Sequence, residues 1–383
     1  MSLAKKITLI ILSIIAVGTV SVTAFGMRVY IQAQRAMEAS YSPIVSQEEA
    51  EARARMVQNQ EPISILLMGV DTGDVGRQVN FIGRSDTMMV VTINPQKEQT
   101  TIVSLDRDTL VSFALEEPLF IPDVGTVSVF NDKLNHTFAY GQAPLALATV
   151  NRLLDMDISY FAAINMGGLS DLVDAVGGVT IDNQLGTFTL DVDGPEFAVT
   201  VPGGQSLMDG RTALAYARMR YEDPEGDIGR QRRQREVVEA LVSRLLSANT
   251  LTNFQNVFNA VSQNLITDIR FGTMTDIAES YRAAANNIVA YQLNGIGQQI
   301  SGTYFQLLPA DNVLEVTNIL RTQMNKSEID ALDPNVITWE SQMGFAAPTI
   351  FDPATGRPRV EQADGDAAND EEGYYGMEGD VGF

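Results

Sequence analysis

Three closely spaced apolar runs constrain this chain more than any other feature. They are ISILLMGV (residues 63–70), TMMVVTI (87–93) and TTIVSL (100–105). Runs that are apolar throughout, not at alternate positions, are the pattern of strands buried on both faces. The fold must therefore cover both sides of a sheet. Asn94-Pro95-Gln96-Lys97 separates the second run from the third, and Pro95 presets a turn, which predicts an antiparallel hairpin. Further on, the pattern predicts a helix over 144–154, a strand over 158–164, and a short helix over 169–176 stopped by Gly177-Gly178. Strands are expected over 179–181, around 188–192 and over 197–201, with Asp193-Gly194-Pro195 turning between the last two. A helix starts near Asp209 and a long one covers 228–246. Strands interleaved with helices imply a three-layer α/β/α architecture with a central mixed sheet, in one domain over residues 61–345.

The ends of the chain read differently. Lys5 and Lys6 precede residues 7–27, which carry no charge and are long enough to span a hydrocarbon core of ~30 Å. A transmembrane anchor is expected there; the alternative is a cleaved signal peptide ending near Val22-Thr23-Ala24. The positive flank places residues 1–6 inside the cell and the single domain on the extracellular face. Residues 28–60 read as a polar juxtamembrane stalk, and 346–383 as an acidic disordered tail.

Composition removes whole classes of chemistry. Against 26 Lys and Arg stand 48 Asp and Glu, a net charge of −22, which disfavours nucleic acid as a partner. The chain has no cysteine, so thiol catalysis, cysteine zinc sites and disulfides are excluded; this agrees with a Gram-positive type of surface. A single histidine argues against a histidine metal cluster and a Ser-His triad. Carboxylates, arginines and hydroxyls must carry any reaction.

Three polar clusters stand at predicted strand and helix ends, where α/β folds place ligands. Asp71 and Asp74, followed by Gly83-Arg84-Ser85-Asp86, suit either a hard cation or plain turn and cap roles. In Ser104-Leu105-Asp106-Arg107-Asp108-Thr109, Arg107 between two aspartates is a local ion pair or an anion clamp. Lys133-Leu134-Asn135-His136 holds the only histidine, which reads as a structural hydrogen-bonder. The third cluster packs Arg211, Arg218, Arg220, Arg230, Arg232, Arg233 and Arg235 into an acidic chain. In the long helix Arg230, Gln234, Val237, Leu241 and Leu245 share one face, which must be the buried one. Arg232, Arg233 and Arg235 leave that line and are assigned to the solvated face. Arg218 and Arg220 fall on one side of an extended stretch at 217–221. Guanidinium groups beside a helix N-terminus suit pyrophosphate; internal pairing with Asp223, Glu225 or Asp227 is the alternative.

The segments LLMGVDTG, GRSDTMMVVTINPQ, SLDRDT, KLNHTFAYG, INMGGLSDLVDAVGGVTID, GGQSLMDGRTALAYARMR and DIGRQRRQREVVEAL, in this order, resemble the LytR-CpsA-Psr family. The resemblance implies a membrane-anchored phosphotransferase. Such an enzyme moves a glycopolymer (teichoic acid, capsule or another secondary wall polysaccharide) from polyisoprenyl pyrophosphate to peptidoglycan through a phosphodiester link. It implies Mg²⁺, with Mn²⁺ as a substitute, held by Asp86 together with Asp71 or Asp74. Arg84, Arg107, Lys133, Arg218, Arg220, Arg230 and Gln234 would surround the pyrophosphate. Arg107, Arg218, Arg220 and Asp86 would serve catalysis, and apolar core side chains would line a slot for the prenyl tail. Two alternatives are a polyisoprenyl-pyrophosphate hydrolase and a non-catalytic lipid-pyrophosphate binding or regulatory protein.

Overall fold

The apolar runs form strands β1 (Ile63–Asp71), β2 (Arg84–Asn94) and β3 (Gln99–Leu105) in the computed structural model. The structure describes residues 40–71, 83–121, 124–191, 198–220, 223–246, 257 and 261–359. The charge-free run at 7–27, Asp74, the turn at 193–195 and residues 360–383 lie outside them. Among the described residues no helix is long and apolar enough to cross a membrane.

Strands β1, β2 and β3 are consecutive antiparallel neighbours, so the hairpin expected at Pro95 is present. After β3 come two short antiparallel pairs, β4 (Leu110–Ser112) with β7 (Asn131–Lys133) and β5 (Leu119–Ile121) with β6 (Gly125–Val127). Helix α2 (His136–Leu153) and strand β8 (Tyr160–Asn165) follow, β8 lying parallel to β1. Strands β13 (Leu265–Thr267) and β14 (Ile288–Leu293) complete a six-stranded mixed sheet in the order β13-β8-β1-β2-β3-β14. The mixed central sheet matches the sequence reading.

Side chains alternate across this sheet. Leu66, Met68, Val70, Met88, Val90 and Val103 face one side, where they pack on Phe138, Leu147 and Val150 of α2. Val313, Val316 and Leu320 of α7 (Ala310–Gln323) complete that layer. Ile63, Ile65, Leu67, Met89, Val91 and Ile102 face the other side, toward Val238 and Val242 of α5 (Gly226–Leu245) and Ile277 of α6 (Phe271–Ser280). Helices thus cover both faces.

A smaller body joins the second face. It holds α3 (Met166–Ala175), two antiparallel pairs made by β9 (Val179–Asn183), β10 (Phe188–Asp191), β11 (Ala198–Val201) and β12 (Gly204–Met208), and α4 (Gly210–Arg218). Asp209 caps α4 by accepting from the Thr212 N–H at 2.8 Å. Its core (Val173, Ile181, Val201, Ala213, Tyr216) closes on Val237 and Leu241 of α5. Helix α5 is therefore buried along two lines, Val237–Leu241 and Val238–Val242.

Two terminal segments differ from their sequence readings. Part of the expected stalk is helix α1 (Gln47–Gln58), which buries Ala50 and Val57 against the domain, with Arg53 3.3 Å from Asp268. Its mixed polar composition hides a narrow apolar line. Residues 346–359, read as the start of the tail, pack on the body. Asn312 and Phe351 exchange two hydrogen bonds, and the Gln292 N–H donates to the Pro353 carbonyl at 2.7 Å. Backbone pairing holds this stretch, which is why no apolar periodicity announces it.

Candidate active site

The ends of β1 and β2 bring the first polar cluster together. Their register sets Asp71 opposite Arg84, and Asp86 falls at the register shift between the Gly69–Thr87 and Val70–Ser85 pairs. Asp71, Arg84, Asp86, Arg107, Asp108, Lys133, Asn135 and His136 line one cleft of about 430 Å³. Within it, Arg107 Nη1 is 3.2 Å from Asp86 Oδ1, and Asn135 Nδ2 donates to the same oxygen at 3.2 Å. Arg107 Nε is 3.6 Å from Asp108 Oδ2, and Lys133 Nζ is 2.8 Å from Asp108 Oδ1. Charges of both signs alternate along the cleft, each still open enough to meet a ligand.

The loop carrying Arg107 is fixed from behind. Asp106 accepts from the Asp108 N–H at 2.8 Å through one oxygen and from Gln231 Nε2 at 2.9 Å through the other. Gln231 Oε1 accepts from Gln292 Nε2 at 3.2 Å. Asp106, Gln231 and Gln292 are all buried, and such connected polar chains hold their members in one geometry. Sequence reasoning singled out none of the three as a positioning group, nor Asn135. The order of residues signals only the SLDRDT and KLNH segments, not these partners.

His136 matches its reading as a hydrogen-bonder: Nδ1 is 2.7 Å from Asp132 Oδ2. Burial pushes the Asp132 carboxyl up, but the His136 hydrogen bond, the Lys133 N–H and both neighbouring charges outweigh it and hold the pKa below the usual value.

Directly behind the cleft the structure opens into an apolar cavity of about 320 Å³. Its floor is Ile65, Leu67, Gly69, Thr87, Met89, Val91 and Ala162; its roof includes Leu241, Val242 and Leu245 of α5. Gly69 permits close strand packing, since a Cβ there would stand 3.0 Å from Thr87 Cβ. Arg218 and Gln234 border the cavity. Between cavity and cleft lies a narrow constriction of about 10 Å³, which shares Asp86 and Arg107 with the cleft and Thr87, Met89 and Gln234 with the cavity, and is also lined by Arg230 and Gln231. The boundary between charge and hydrocarbon thus falls between consecutive residues, Asp86 and Thr87.

The arginines of the third cluster divide. Arg230 and Gln234 face the constriction, as their helical phase implied. Arg218 is exposed at the end of α4, not in an extended stretch, because α4 continues through it. Arg220, also exposed, is not among the residues lining the cleft, constriction or cavity.

The solvated-face assignment is corrected for Arg233 and Arg235, both buried because α5 packs on two sides. Arg233, 1% exposed, pairs with Asp223 and donates to the Tyr216 and Met219 carbonyls. Arg232 pairs with Glu225. For these two, internal pairing is the observed state. Asp223 also accepts from the Glu225 N–H at 2.8 Å, so it serves the start of α5 itself. Gly229 leaves the room its carboxylate needs.

For a cation, Asp71 and Asp86 supply carboxylate oxygens to one cleft, the donor chemistry a hard divalent ion takes. Among the described residues no three or more His, Cys, Asp or Glu side chains are placed so that together they could hold a metal ion. Substrate oxygens and water would complete the shell.

Fold and site together define a mixed α/β protein with a charged cleft at the strand ends beside an apolar cavity. The chain belongs to the LytR_cpsA_psr family, whose model matches residues 27–322. It is 41% identical over 325 residues to a polyisoprenyl-teichoic acid–peptidoglycan teichoic acid transferase, TagU, of Enterococcus faecalis, covering 85% of this chain and 99% of the relative. It is 33% identical to biofilm regulatory protein A of Streptococcus mutans, over 90% of this chain and 83% of the relative. The crystal structure of protein gbs0355 from Streptococcus agalactiae superposes with a TM-score of 0.67 at 38% identity, covering 76% of this chain and 97% of that one.

Proposed function

We propose that this chain transfers a teichoic acid or a related wall glycopolymer from a polyisoprenyl pyrophosphate carrier to peptidoglycan, at the outer face of a membrane that residues 7–27 anchor it to. The observation that carries the reading is the adjacency of polar cleft and apolar cavity, which meet across the narrow constriction at Asp86–Thr87. A prenyl pyrophosphate has this division, and its tail would lie between Leu67, Met89 and Leu241. The relative named TagU supplies the donor and acceptor classes.

Arg84, Arg107, Lys133 and Arg230, with Gln234, would bind the pyrophosphate oxygens; Arg218, at the cavity edge, and Arg220, outside all three spaces, would reach them from the end of α4. Mg²⁺ held by Asp86 with Asp71 or Asp74, or Mn²⁺ in its place, would neutralise charge on those oxygens. An acceptor hydroxyl oxygen bonds to the polymer-linked phosphorus as the bond from that phosphorus to the isoprenyl phosphate oxygen breaks. The proton passes to a carboxylate of the cleft (Asp71, Asp86 or Asp108), and isoprenyl phosphate leaves. Positioning and charge stabilisation supply most of the rate. Arg107 contributes both: Asp106 fixes its loop, and its guanidinium faces the cleft.

The test is ligation by the full chain in detergent with Mg²⁺, a lipid-pyrophosphate-linked glycan and uncrosslinked peptidoglycan, read by mass spectrometry. The expected product is a glycan–phosphate–peptidoglycan adduct, reduced roughly 100- to 1,000-fold by Arg107→Ala. Free sugar phosphate alone would mark a hydrolase. Lipid bound but left whole would mark a binding or regulatory protein.

A further inference from the structure

The proposed transfer needs an acceptor glycan beside Arg107, outside the apolar cavity and outside the part of the cleft assigned to the pyrophosphate. The hairpin of β15 (Ile296–Ile300) and β16 (Thr303–Leu307) stands next to the cleft, Gln306 bridging to Thr109. Its register pairs Gln299 with Tyr304 and Gly297 with Gln306, putting these four residues on one face. The opposite face is apolar: Phe305, Leu307 and Ile296 pack on Trp339 of α8 (Trp339–Met343) and on Leu110.

On the outer face Tyr304 lies across Gly297, where a Cβ would come within 2.6 Å of the phenol oxygen and 2.9 Å of Cε2. Gln306 Nε2 donates to that oxygen at 2.7 Å and fixes the ring. Tyr304 is nonetheless 41% exposed. The strand is tied to the reactive loop, since the Gln306 N–H donates to the Asp108 carbonyl at 2.9 Å. Lys133 Nζ, 2.8 Å from Asp108, stands 6.0 Å from the Tyr304 ring centre. Contacts therefore run from Tyr304 through Lys133 and Asp108 to Arg107.

We propose that the outer face of this hairpin is the subsite for the acceptor glycan, a pyranose stacking on the Tyr304 ring with the Gln299 amide meeting its hydroxyl or acetamido groups. An aromatic ring presents a flat apolar surface to the C–H face of a sugar, and an amide offers both donors and acceptors to its rim. The hairpin face is uncharged apart from neighbouring Lys133, as suits a glycan backbone better than a phosphate. The inference rests on the transfer reading for what the glycan is, but not for whether it binds.

The test uses the full chain in detergent and a soluble β-1,4-linked N-acetylhexosamine tetrasaccharide as probe, followed by saturation-transfer NMR. Tyr304→Ala should weaken binding at least fivefold, and Tyr304→Phe, which keeps the ring, should stay within about twofold of the unaltered chain. Phe120→Ser, at an exposed aromatic of the β5–β6 hairpin, should leave binding unchanged. Equal binding by Tyr304→Ala, or no binding by the unaltered chain at 10-millimolar probe (~10 mM, weak for a specific site), overturns the subsite. Tyr304-dependent binding without ligation of any lipid-linked donor would uphold the subsite and overturn the transfer reading.

Discussion

The two faces of the central sheet are made from the same strands and serve opposite ends. On one face Leu66, Met68 and Val70 meet α2 and α7 and are almost wholly buried. On the other, Ile65, Leu67 and Gly69 look into a cavity of about 320 Å³ under α5. Alternation along β1 therefore separates a packed layer, which stabilises the fold, from an open layer, which leaves room for a hydrocarbon guest. The same division runs through α5: Arg233 is internal structure, whereas Arg230 and Gln234 border the constriction.

The comparison can be broken by substitution. The largest effect is expected at Arg233→Ala, which strands the buried Asp223 carboxylate and should cost about 3–5 kcal/mol in denaturant unfolding. A loss near zero would return Arg233 to the solvated face. Next, Leu66→Ala on the packed face should cost about 3 kcal/mol, and Leu67→Ala, beside existing open space, under about 1 kcal/mol. Equal losses would mean the faces do not differ.

At the rim of the open face, Asp268 stands between Thr267 and Ile269, both of which line the cavity. Burial pushes its carboxyl up to about 6, against the Phe161 N–H and Arg53, which pull it down. A folded pKa above the unfolded one means stability that is full below pH 3.8 and lost as pH rises through about 6. The stability of the unaltered chain relative to Asp268→Asn should therefore fall by on the order of 2 kcal/mol between pH 4 and 7. A flat difference contradicts the shift. A binding effect is expected from Ala162→Phe, which fills part of the cavity. It should weaken polyisoprenyl pyrophosphate binding about tenfold, roughly 1.4 kcal/mol, while an unchanged affinity would place the tail elsewhere.

Sequence patterns carried the fold far. The apolar runs at 63–70, 87–93 and 100–105 became adjacent central strands, and Asp71, Arg84, Asp86, Arg107 and Lys133 converge on one cleft as the motifs implied. What stayed hidden depends on partners distant in the chain. Gln231 reaches Asp106 across 125 residues and Gln292 across 61. A single-stripe reading of α5 fails because two bodies pack on it, burying Arg233 and Arg235. The cavity is invisible in sequence for a similar reason: Leu67 and Leu66 are the same residue type, and only packing decides which meets empty space.

The proposed transfer requires one lipid to occupy both compartments, head in the cleft and tail beneath α5. The most direct measurement is a structure of the full chain bound to a long-chain polyisoprenyl pyrophosphate. The expected result is the pyrophosphate against Arg107 and Asp86, with the prenyl chain passing Thr87 to lie between Met89 and Leu241. A prenyl chain on the outer surface, with the cavity beneath α5 closed or empty of lipid, would contradict it.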